Sequence, residues 1–198
     1  MRSLLIATNN PDKFREISAL LSDLPFHLFK MEDFPQLSAV EEDRATIEGN
    51  AAKKALETAR AADLLCLADD TGLFIDALGG EPGVFAARWA GEGCTYRDNR
   101  LKALQQMSGV SDRAASFRTV VALAAPDGII GCEEGRVQGI ITTQERGQRG
   151  FGYDAVFEVS GTSLTYAEMS DSDKNTLSHR ALAILAIRPL LERILSLR

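Results

Sequence analysis

The sequence has little cysteine, no long apolar run and no excess of positive charge, and each absence excludes a class of protein. Its 198 residues include three cysteines, Cys66, Cys94 and Cys132, which are odd in number and widely spaced. This is the pattern of neither a disulfide framework nor a CxxC metal site, so we expect reduced, half-buried and inert thiols. No stretch approaches the roughly 18 uninterrupted apolar residues of a membrane helix, and the apolar start is too short for a signal peptide. We therefore expect a cytoplasmic protein with no membrane partner.

The charge balance argues against a nucleic-acid polymer as the partner. Lys and Arg number 22 against 28 Asp and Glu, which gives a formal net charge of −6. A protein that coats DNA or RNA needs a basic surface to displace counterions from the phosphates, whereas a single nucleotide does not demand one. With 45% hydrophobic and 25% charged residues, the composition is typical of a globular domain, so a disordered chain is excluded.

The spacing of apolar residues predicts an α/β fold in which residues 1–198 form a single domain. Strands and helices alternate in the first half, and the turn formers Pro126-Asp127-Gly128 predict a β-hairpin in the second half. We expect a twisted mixed β-sheet flanked by helices, with two lobes and the active-site cleft between them. The predicted strands cover residues 4–7, 26–31, 64–68, 117–124, 129–132, 137–142 and 155–159, and the predicted helices follow the first strand and cover residues 46–62, 95–107 and 178–198, the last with a kink at Pro189.

The segment from Thr8 to Lys13 lies where the first predicted strand gives way to a helix. Asn10 is a natural N-cap and Pro11 a natural first helical residue. Such a helix start offers free backbone N–H groups and a positive dipole end, to which Lys13 adds a full charge, so an anion would fit. The glycines of a Walker A loop are missing. A capped helix with a solvated lysine would explain the segment equally well.

Two acidic segments are candidates for metal binding. Asp69 and Asp70 follow the apolar run at residues 64–68, and we expect the strand to end abruptly there, at the edge where α/β sheets collect ligands. Two such carboxylates suit Mg²⁺, which keeps waters and binds substrate phosphates, although a turn capped by Asp is the simpler alternative. The segment Glu41-Glu42-Asp43 precedes a predicted helix, where acidic residues are favoured by the helix dipole alone.

The second half contains a candidate site for a nucleotide base. In the segment at residues 147–154, a flat ring could stack on Phe151 while Asp154 accepts a hydrogen bond from its edge, although a plain loop with buried aromatics needs no ligand. Lys174 and the pair His179-Arg180 add donors near a predicted helix start, and could equally be surface features. Arg88 could reach a phosphate or stack on the adjacent indole.

Together these segments resemble the inosine triphosphate pyrophosphatase family, in order and over nearly the whole chain. The family motif Thr-x-Asn-x-x-Lys is matched by Thr8, Asn10 and Lys13, Asp-Asp-Ser/Thr-Gly-Leu by residues 69–73, Leu-Gly-Gly-x-Pro-Gly-(Val/Ile)-x-(Ser/Ala)-Ala-Arg by residues 78–88, Gly-Phe-Gly-Tyr-Asp by residues 150–154, and Ser-His-Arg by residues 178–180, preceded by Lys174. One segment departs from the family pattern, because Gly49 occupies the position of the usual Glu before Asn50-Ala51. The alignment makes Glu42 the metal-side glutamate and leaves Glu41 as a possible substitute.

The resemblance implies Mg²⁺-dependent hydrolysis of ITP, dITP and XTP to the monophosphate and pyrophosphate by a homodimer. It implies that Glu42, Asp70 and triphosphate oxygens hold Mg²⁺, and that Asp70, with Asp69 alongside, orients or deprotonates the attacking water. A 6-oxo purine presents an acceptor at position 6 and a donor at N1, which adenine reverses, so we expect adenine to be rejected. The implied substrate-binding residues are Thr8, Asn9, Asn10, Pro11, Asp12, Lys13, Lys54, Thr71, Arg88, Phe151, Gly152, Tyr153, Asp154, Lys174, His179 and Arg180.

Two other functions stay open on the sequence. A Maf-like nucleotide pyrophosphatase would share the chemistry but prefer other bases, and the segments at residues 151–154 and 178–180 argue against it. A non-catalytic nucleotide sensor would be expected to lose its metal carboxylates, whereas Glu42, Asp69 and Asp70 are all present.

Overall fold

The computed structural model describes residues 2–196, which form an α/β structure with a mixed β-sheet. This confirms the predicted fold class. Three short 3-10 turns at Met31–Asp33, Asp76–Leu78 and Ala86–Arg88 interrupt the longer elements. The strands are β1 (Arg2–Ile6), β2 (Phe26–Lys30), β3 (Cys66–Ile75), β4 (Pro82–Gly83), β5 (Ala114–Ala125), β6 (Gly128–Ile141) and β7 (Phe157–Val159), and the helices are α1 (Pro11–Leu20), α2 (Ile47–Ala62), α3 (Tyr96–Gln106), α4 (Asp171–Leu177) and α5 (His179–Ser196).

The chain forms two compact units, and the strands β3, β5 and β6 each contribute residues to both. The first unit consists of residues 2–70, 119–135 and 180–196. The second unit consists of residues 71–118 and 136–179.

In the first unit, β1 lies between two parallel neighbours. Leu4 pairs with Leu28 of β2, and Leu5 pairs with Cys66 of β3. Parallel strands are buried on both faces, which is why β1 reads as a continuous apolar run rather than an alternating one. The strands pack against the apolar faces of α1 and α5 in one core, whose buried members are Leu4, Ile6, Ile17, Leu21, Phe26, Leu67, Val121, Leu123, Ala183, Ile184, Ile187, Leu191 and Ile194.

In the second unit, two short strands pair antiparallel with the ends of longer ones. β4 pairs with β3, and β7 pairs with β6. A Cβ at Gly72 would lie 2.8 Å from the carbonyl oxygen of Gly83, so the pairing of β3 with β4 requires glycine at that position. Aromatic rings form the core here, with Phe117 in contact with Phe157 and Tyr166.

β3, β6 and α4 differ from the sequence-based predictions. β3 does not end at Asp69-Asp70 but continues to Ile75, so the prediction that the strand ends at these aspartates is wrong. β6 is one strand of 14 residues where two were predicted, and α4 was not predicted. α5 begins at His179 as expected and continues through Pro189, while residues 197–198 of that prediction lie outside the described residues. Among residues 2–196, no helix is both long and apolar enough to cross a membrane.

Candidate active site

The segment from Thr8 to Lys13 joins β1 to α1 and has the predicted cap. The side-chain oxygen of Asn10 accepts hydrogen bonds from the backbone N–H groups of Asp12 (2.9 Å) and Lys13 (3.3 Å), and Pro11 is the first helical residue. The hydroxyl oxygen of Thr8 accepts from the N–H of Asn10. The N–H groups of Asp12 and Lys13 are therefore engaged by the cap, so the prediction of free N–H groups at these two positions is wrong.

Asp69 lies in the interior of β3 between two cations of the first unit. Its Oδ2 is 3.1 Å from Nζ of Lys13 on α1, and it accepts hydrogen bonds from Nε (3.2 Å) and Nη2 (3.0 Å) of Arg180 on α5. Nη1 of Arg180 donates to Glu16, so α1 contributes both a cation and a carboxylate. Asp69 can lie within a buried strand because its charge is compensated in this way, which the turn propensity of Asp does not reveal.

The charges around Asp69 decide its ionisation. Burial alone would raise its pKa, but Lys13 and Arg180 outweigh burial and hold the pKa of Asp69 well below its usual range. Burial lowers the pKa of Lys13, and the neighbouring cations of Lys54 and Arg180 act in the same direction. Asp69 is thus a permanent anion at neutral pH and a poor proton acceptor.

Asp70 has the opposite electrostatic environment. Side chains alternate along a strand, and Asp70 contacts α2 where Asp69 contacts α1 and α5. Its Oδ2 accepts a hydrogen bond from Nδ2 of Asn50 at 3.1 Å. Burial raises the pKa of Asp70 to about 6, Glu42 adds to this effect, and Lys13 opposes it. Two adjacent aspartates are therefore separated into a fixed anion and a group that exchanges its proton near neutral pH.

Glu42 forms an ion pair with Lys54 of α2. Burial raises the pKa of Glu42, but Lys54 outweighs it and the net shift is downward. Burial lowers the pKa of Lys54, but Asp69 and Glu42 outweigh it and the net shift is upward. Glu41 is exposed, and its backbone carbonyl oxygen accepts from Lys53. Of the two candidate glutamates, Glu42 is the one whose charge acts on Asp70, so it is the better candidate for a metal ligand.

The donor set of Glu42 and Asp70 fits a magnesium ion that also binds substrate. Among residues 2–196, no group of three or more His, Cys, Asp or Glu side chains forms a metal site by itself. Mg²⁺ in nucleotide sites uses one or two carboxylates and completes its octahedron with water and phosphate oxygens. Glu42 is partly buried, and its charge contributes to the raised pKa of Asp70. A bound cation would offset the repulsion between these two carboxylates, which matches that need.

In the second unit, Asp154 and Lys174 form a buried ion pair. Nζ of Lys174 is 2.6 Å from Oδ2 of Asp154, and it lies 5.1 Å from the ring centroid of Phe151. The same Oδ2 accepts from the backbone N–H of Phe151 at 2.8 Å, which closes the turn. Gly150 has φ of +73°, and a Cβ there would clash with the Asp154 carboxylate, so this turn requires glycine.

His179 lies in the aromatic core of the second unit. Its ring stacks on Phe117 at a centroid distance of 4.6 Å and 21° between planes, and Tyr166 meets it edge-on at 5.9 Å. Only 4% of His179 is exposed. The guanidinium of the adjacent Arg180 donates to Asp69 and Glu16. The two members of the predicted donor pair, His179 and Arg180, therefore have different surroundings.

The remaining predicted residues of the second unit have varied environments. The hydroxyl of Tyr153 donates to the carbonyl oxygen of Ala86, and burial raises the pKa of this phenol. The carbonyl oxygen of Gly152 accepts from Arg100. The guanidinium of Arg88 lies over the ring of Phe85 at 5.4 Å from its centroid, and Lys102 lies over the ring of Trp89. Thr71 follows Asp70 in β3.

Comparison with known proteins decides the family. The Ham1 family profile matches residues 4–190. The chain belongs to the Ham1 family. A Ham1 relative from Geobacter sulfurreducens, named dITP/XTP pyrophosphatase, is 44% identical over 190 residues, which cover 95% of this chain and 96% of the relative. The family predicted from the motifs is thereby confirmed.

Solved Ham1 structures share the fold. A HAM1 protein from Coxiella burnetii matches 98% of this chain and 100% of its own, with 35% identity and a TM-score of 0.88. The structure of a nucleoside-triphosphatase / dITP/XTP pyrophosphatase from Mycobacterium abscessus matches 94% of this chain and 99% of its own, with 38% identity and a TM-score of 0.76.

Two polar residues near the predicted site, the buried Asn50 and the partly buried Glu16, were missed by sequence reasoning. Asn50 is 1% exposed and bonds Asp70, and Glu16 bonds Arg180. In both cases the spacing to a predicted site residue on the same helix is the sequence signal that could have identified them. Asn50 and Lys54 are four residues apart on α2, and Lys13 and Glu16 are three apart on α1, so each pair occupies one helix face.

Proposed function

We propose that this Ham1 protein hydrolyses ITP, dITP and XTP to the monophosphate and pyrophosphate. The observation that carries the proposal is the buried carboxyl of Asp70, which accepts a hydrogen bond from Asn50 and follows Asp69, the partner of Lys13, in β3. Burial raises the pKa of this carboxyl to about 6. A carboxylate of this kind accepts a proton at neutral pH more readily than an ordinary aspartate. The names of the relatives, dITP/XTP pyrophosphatase, supply the substrate class.

In the proposed reaction, Asp70 orients a water molecule and accepts its proton as the water oxygen attacks the α-phosphorus. The bond between the α and β phosphates breaks, and pyrophosphate leaves. Asp69 is unsuited to accept the proton because Lys13 and Arg180 keep it ionised. We assign Asp69 and Arg180 to the positioning of Lys13, which is held at 3.1 Å from Asp69.

Cations of the first unit would bind the triphosphate. Lys13 and Lys54 both lie within the field of Asp69 and Asp70, and their positive charges would offset the charge that develops on the phosphates. Lys174 and Arg88 of the second unit are further candidates for anion contacts. The side chain of Asn10 already accepts from the N–H groups of Asp12 and Lys13. The start of α1 would therefore attract the phosphates mainly through its helix dipole and less through free N–H groups.

Glu42 and Asp70 would hold Mg²⁺ together with phosphate oxygens. When bound, the ion supplies charge neutralisation of the phosphates and of the leaving pyrophosphate. The ion pair between Glu42 and Lys54 places a proposed metal ligand next to a proposed phosphate-binding cation. The metal and the substrate phosphates would therefore bind at neighbouring side chains.

A nucleotide panel tests the activity. The protein is incubated with Mg²⁺ and each nucleoside triphosphate, and pyrophosphate and orthophosphate are assayed separately. We expect pyrophosphate from ITP, dITP and XTP, with kcat/KM at least about 100-fold above that for ATP. Pyrophosphate mainly from pyrimidine triphosphates would favour a Maf-like enzyme, orthophosphate would indicate a phosphatase, and binding without product would indicate a sensor.

His179 is proposed to read the 6-oxo edge of the base, alongside Phe151 and Asp154. His179→Phe keeps a ring that can stack on Phe117 but removes both ring nitrogens. We expect kcat/KM for ITP to fall about 10- to 100-fold while that for ATP changes little, because a lost hydrogen bond to a buried polar edge costs roughly 1–3 kcal/mol.

The matched control for His179→Phe is Tyr166→Phe, which removes a polar atom from the same aromatic core. It should retain the preference for ITP over ATP. Equal loss of preference in the two variants would contradict a specific role for the imidazole.

We further propose a cytoplasmic homodimer that acts on free nucleotides and not on a nucleic-acid polymer. The exposed ring of Phe85, with 54% of its surface accessible in the chain alone, is a candidate for subunit contact. Sedimentation that shows only monomer at micromolar concentration would contradict the dimer.

A further inference from the structure

Asn50 is a fully buried polar side chain on α2 that bonds two separate parts of the first unit. Its Nδ2 donates to Oδ2 of Asp70 at 3.1 Å, and its Oδ1 accepts from the backbone N–H of Arg44 at 2.9 Å. Buried polar groups in a helix are costly unless both ends of the amide are satisfied. Here both ends have partners, Asp70 and Arg44, which lie 26 positions apart in the sequence.

The orientation of the Asn50 amide follows from its partners. The backbone N–H of Arg44 can only donate, so the amide oxygen must face it. The amide NH₂ therefore faces Asp70, where it can donate to the carboxylate. An amide fixed in this way restrains the rotation of the Asp70 carboxyl group.

The contact with Arg44 restrains the segment that carries Glu42. Arg44 is two residues after Glu42, and Lys54, one helical turn after Asn50, forms the ion pair with Glu42. The side chain of Arg44 also packs over Gly49, where an added Cβ would lie 2.9 Å from Cβ of Arg44. Gly49, which departs from the family pattern, thus allows the segment to lie close to the start of α2.

We propose that Asn50 is a positioning residue that holds Asp70 and the Glu42 segment in one fixed arrangement. The inference rests on the proposed function, in which these two carboxylates bind the metal and Asp70 accepts the proton. Partners of this kind that orient metal ligands typically affect metal affinity or turnover about 10- to 100-fold when removed.

Two variants of Asn50 test the proposal. Asn50→Ala removes both hydrogen bonds. Asn50→Asp has nearly the same size and can still accept from the Arg44 N–H, but it offers a carboxylate instead of a donor to Asp70. We expect both to lower kcat for ITP about 10- to 100-fold. At saturating Mg²⁺, the KM for ITP should change less than kcat, since the side chain of Asn50 bonds Asp70 and the Arg44 backbone and not the substrate.

The second readout is metal binding without turnover. Calorimetry measures Mg²⁺ binding in the presence of an ITP analogue with a methylene bridge between the α and β phosphorus atoms. Both Asn50 variants should raise the metal dissociation constant about 10-fold. The control is Thr58→Ala, which truncates another buried polar side chain of α2 and should leave kcat and metal binding within about 2-fold of the wild-type values.

The outcomes separate this inference from the proposed function. If the wild-type protein releases no pyrophosphate from ITP, the proposed function fails, while metal binding still tests Asn50. Unchanged metal affinity in Asn50→Asp would overturn the positioning role, and so would a loss matched by Thr58→Ala. If Asn50→Ala does not fold, the isosteric Asp variant decides the result alone.

Discussion

Asp70→Asn should lower kcat for ITP hydrolysis by about 10³-fold at saturating Mg²⁺, because general-base catalysis and its metal ligand are lost together. The substitution keeps the size of the side chain, and its amide oxygen can still accept from Asn50. The measurement is steady-state release of pyrophosphate. The control is Asp43→Asn, an exposed carboxylate that pairs with Lys53, which should keep kcat within about 2-fold. Near wild-type turnover of Asp70→Asn would remove Asp70 from the mechanism.

In the absence of metal, Asp70→Asn should remain folded, and its free energy of unfolding relative to that of the wild type should increase as pH rises. The folded-state pKa of Asp70, about 6, lies above its ordinary value of 3.8, so its stabilising contribution is complete below pH 3.8 and is lost as pH rises through 6. Between pH 4 and pH 7, wild type should therefore lose about 2 kcal/mol of unfolding free energy relative to Asp70→Asn. Urea unfolding of both proteins in a chelator at the two pH values measures this difference. A difference of the opposite sign would show that the raised pKa is wrong.

Local sequence signals predicted the elements that surround this site. The apolar run of β1, the Asn10-Pro11 helix start and the Ala-rich α2 were all predicted from short windows, and the structure confirms them. These features depend on propensity and capping within a few residues, which a sequence displays directly. The prediction that the strand ends at Asp69-Asp70 is wrong because it depends on contacts that a short window does not contain. Whether an aspartate ends a strand or lies within it depends on cations that come from elsewhere in the chain.

Long-range pairing is what the sequence did not reveal. Arg180 bonds Asp69 across 111 positions, and no spacing rule connects α5 with β3. The motif pattern included Arg180 as a candidate substrate-binding residue beside His179. The structure reveals instead that the two neighbours contact different groups, since residues one apart on a helix do not share a face.

Arg180→Met should lower the free energy of unfolding by about 3–5 kcal/mol, because it leaves buried carboxylates without their shared cation. Arg180 is 2% exposed and bonds both Asp69 and Glu16. Methionine retains the apolar stem and removes the guanidinium, so the effect measures lost charge compensation more than lost packing. Lys13 would then be the ion-pair partner left to Asp69, and it carries the cost of burial itself. Urea unfolding at pH 7 without metal measures the change.

The control for this effect is Arg188→Met on the same helix. Arg188 makes ion pairs with Asp23 and Glu192, but these carboxylates are half exposed or more, and such surface pairs contribute about 1 kcal/mol or less. Two identical substitutions on α5 therefore compare a buried network with a solvated one. A loss for Arg180→Met no larger than that for Arg188→Met would mean that Asp69 and Glu16 reach water or exchange protons when Arg180 is absent, and that the cation is not required to keep β3 continuous through its two aspartates.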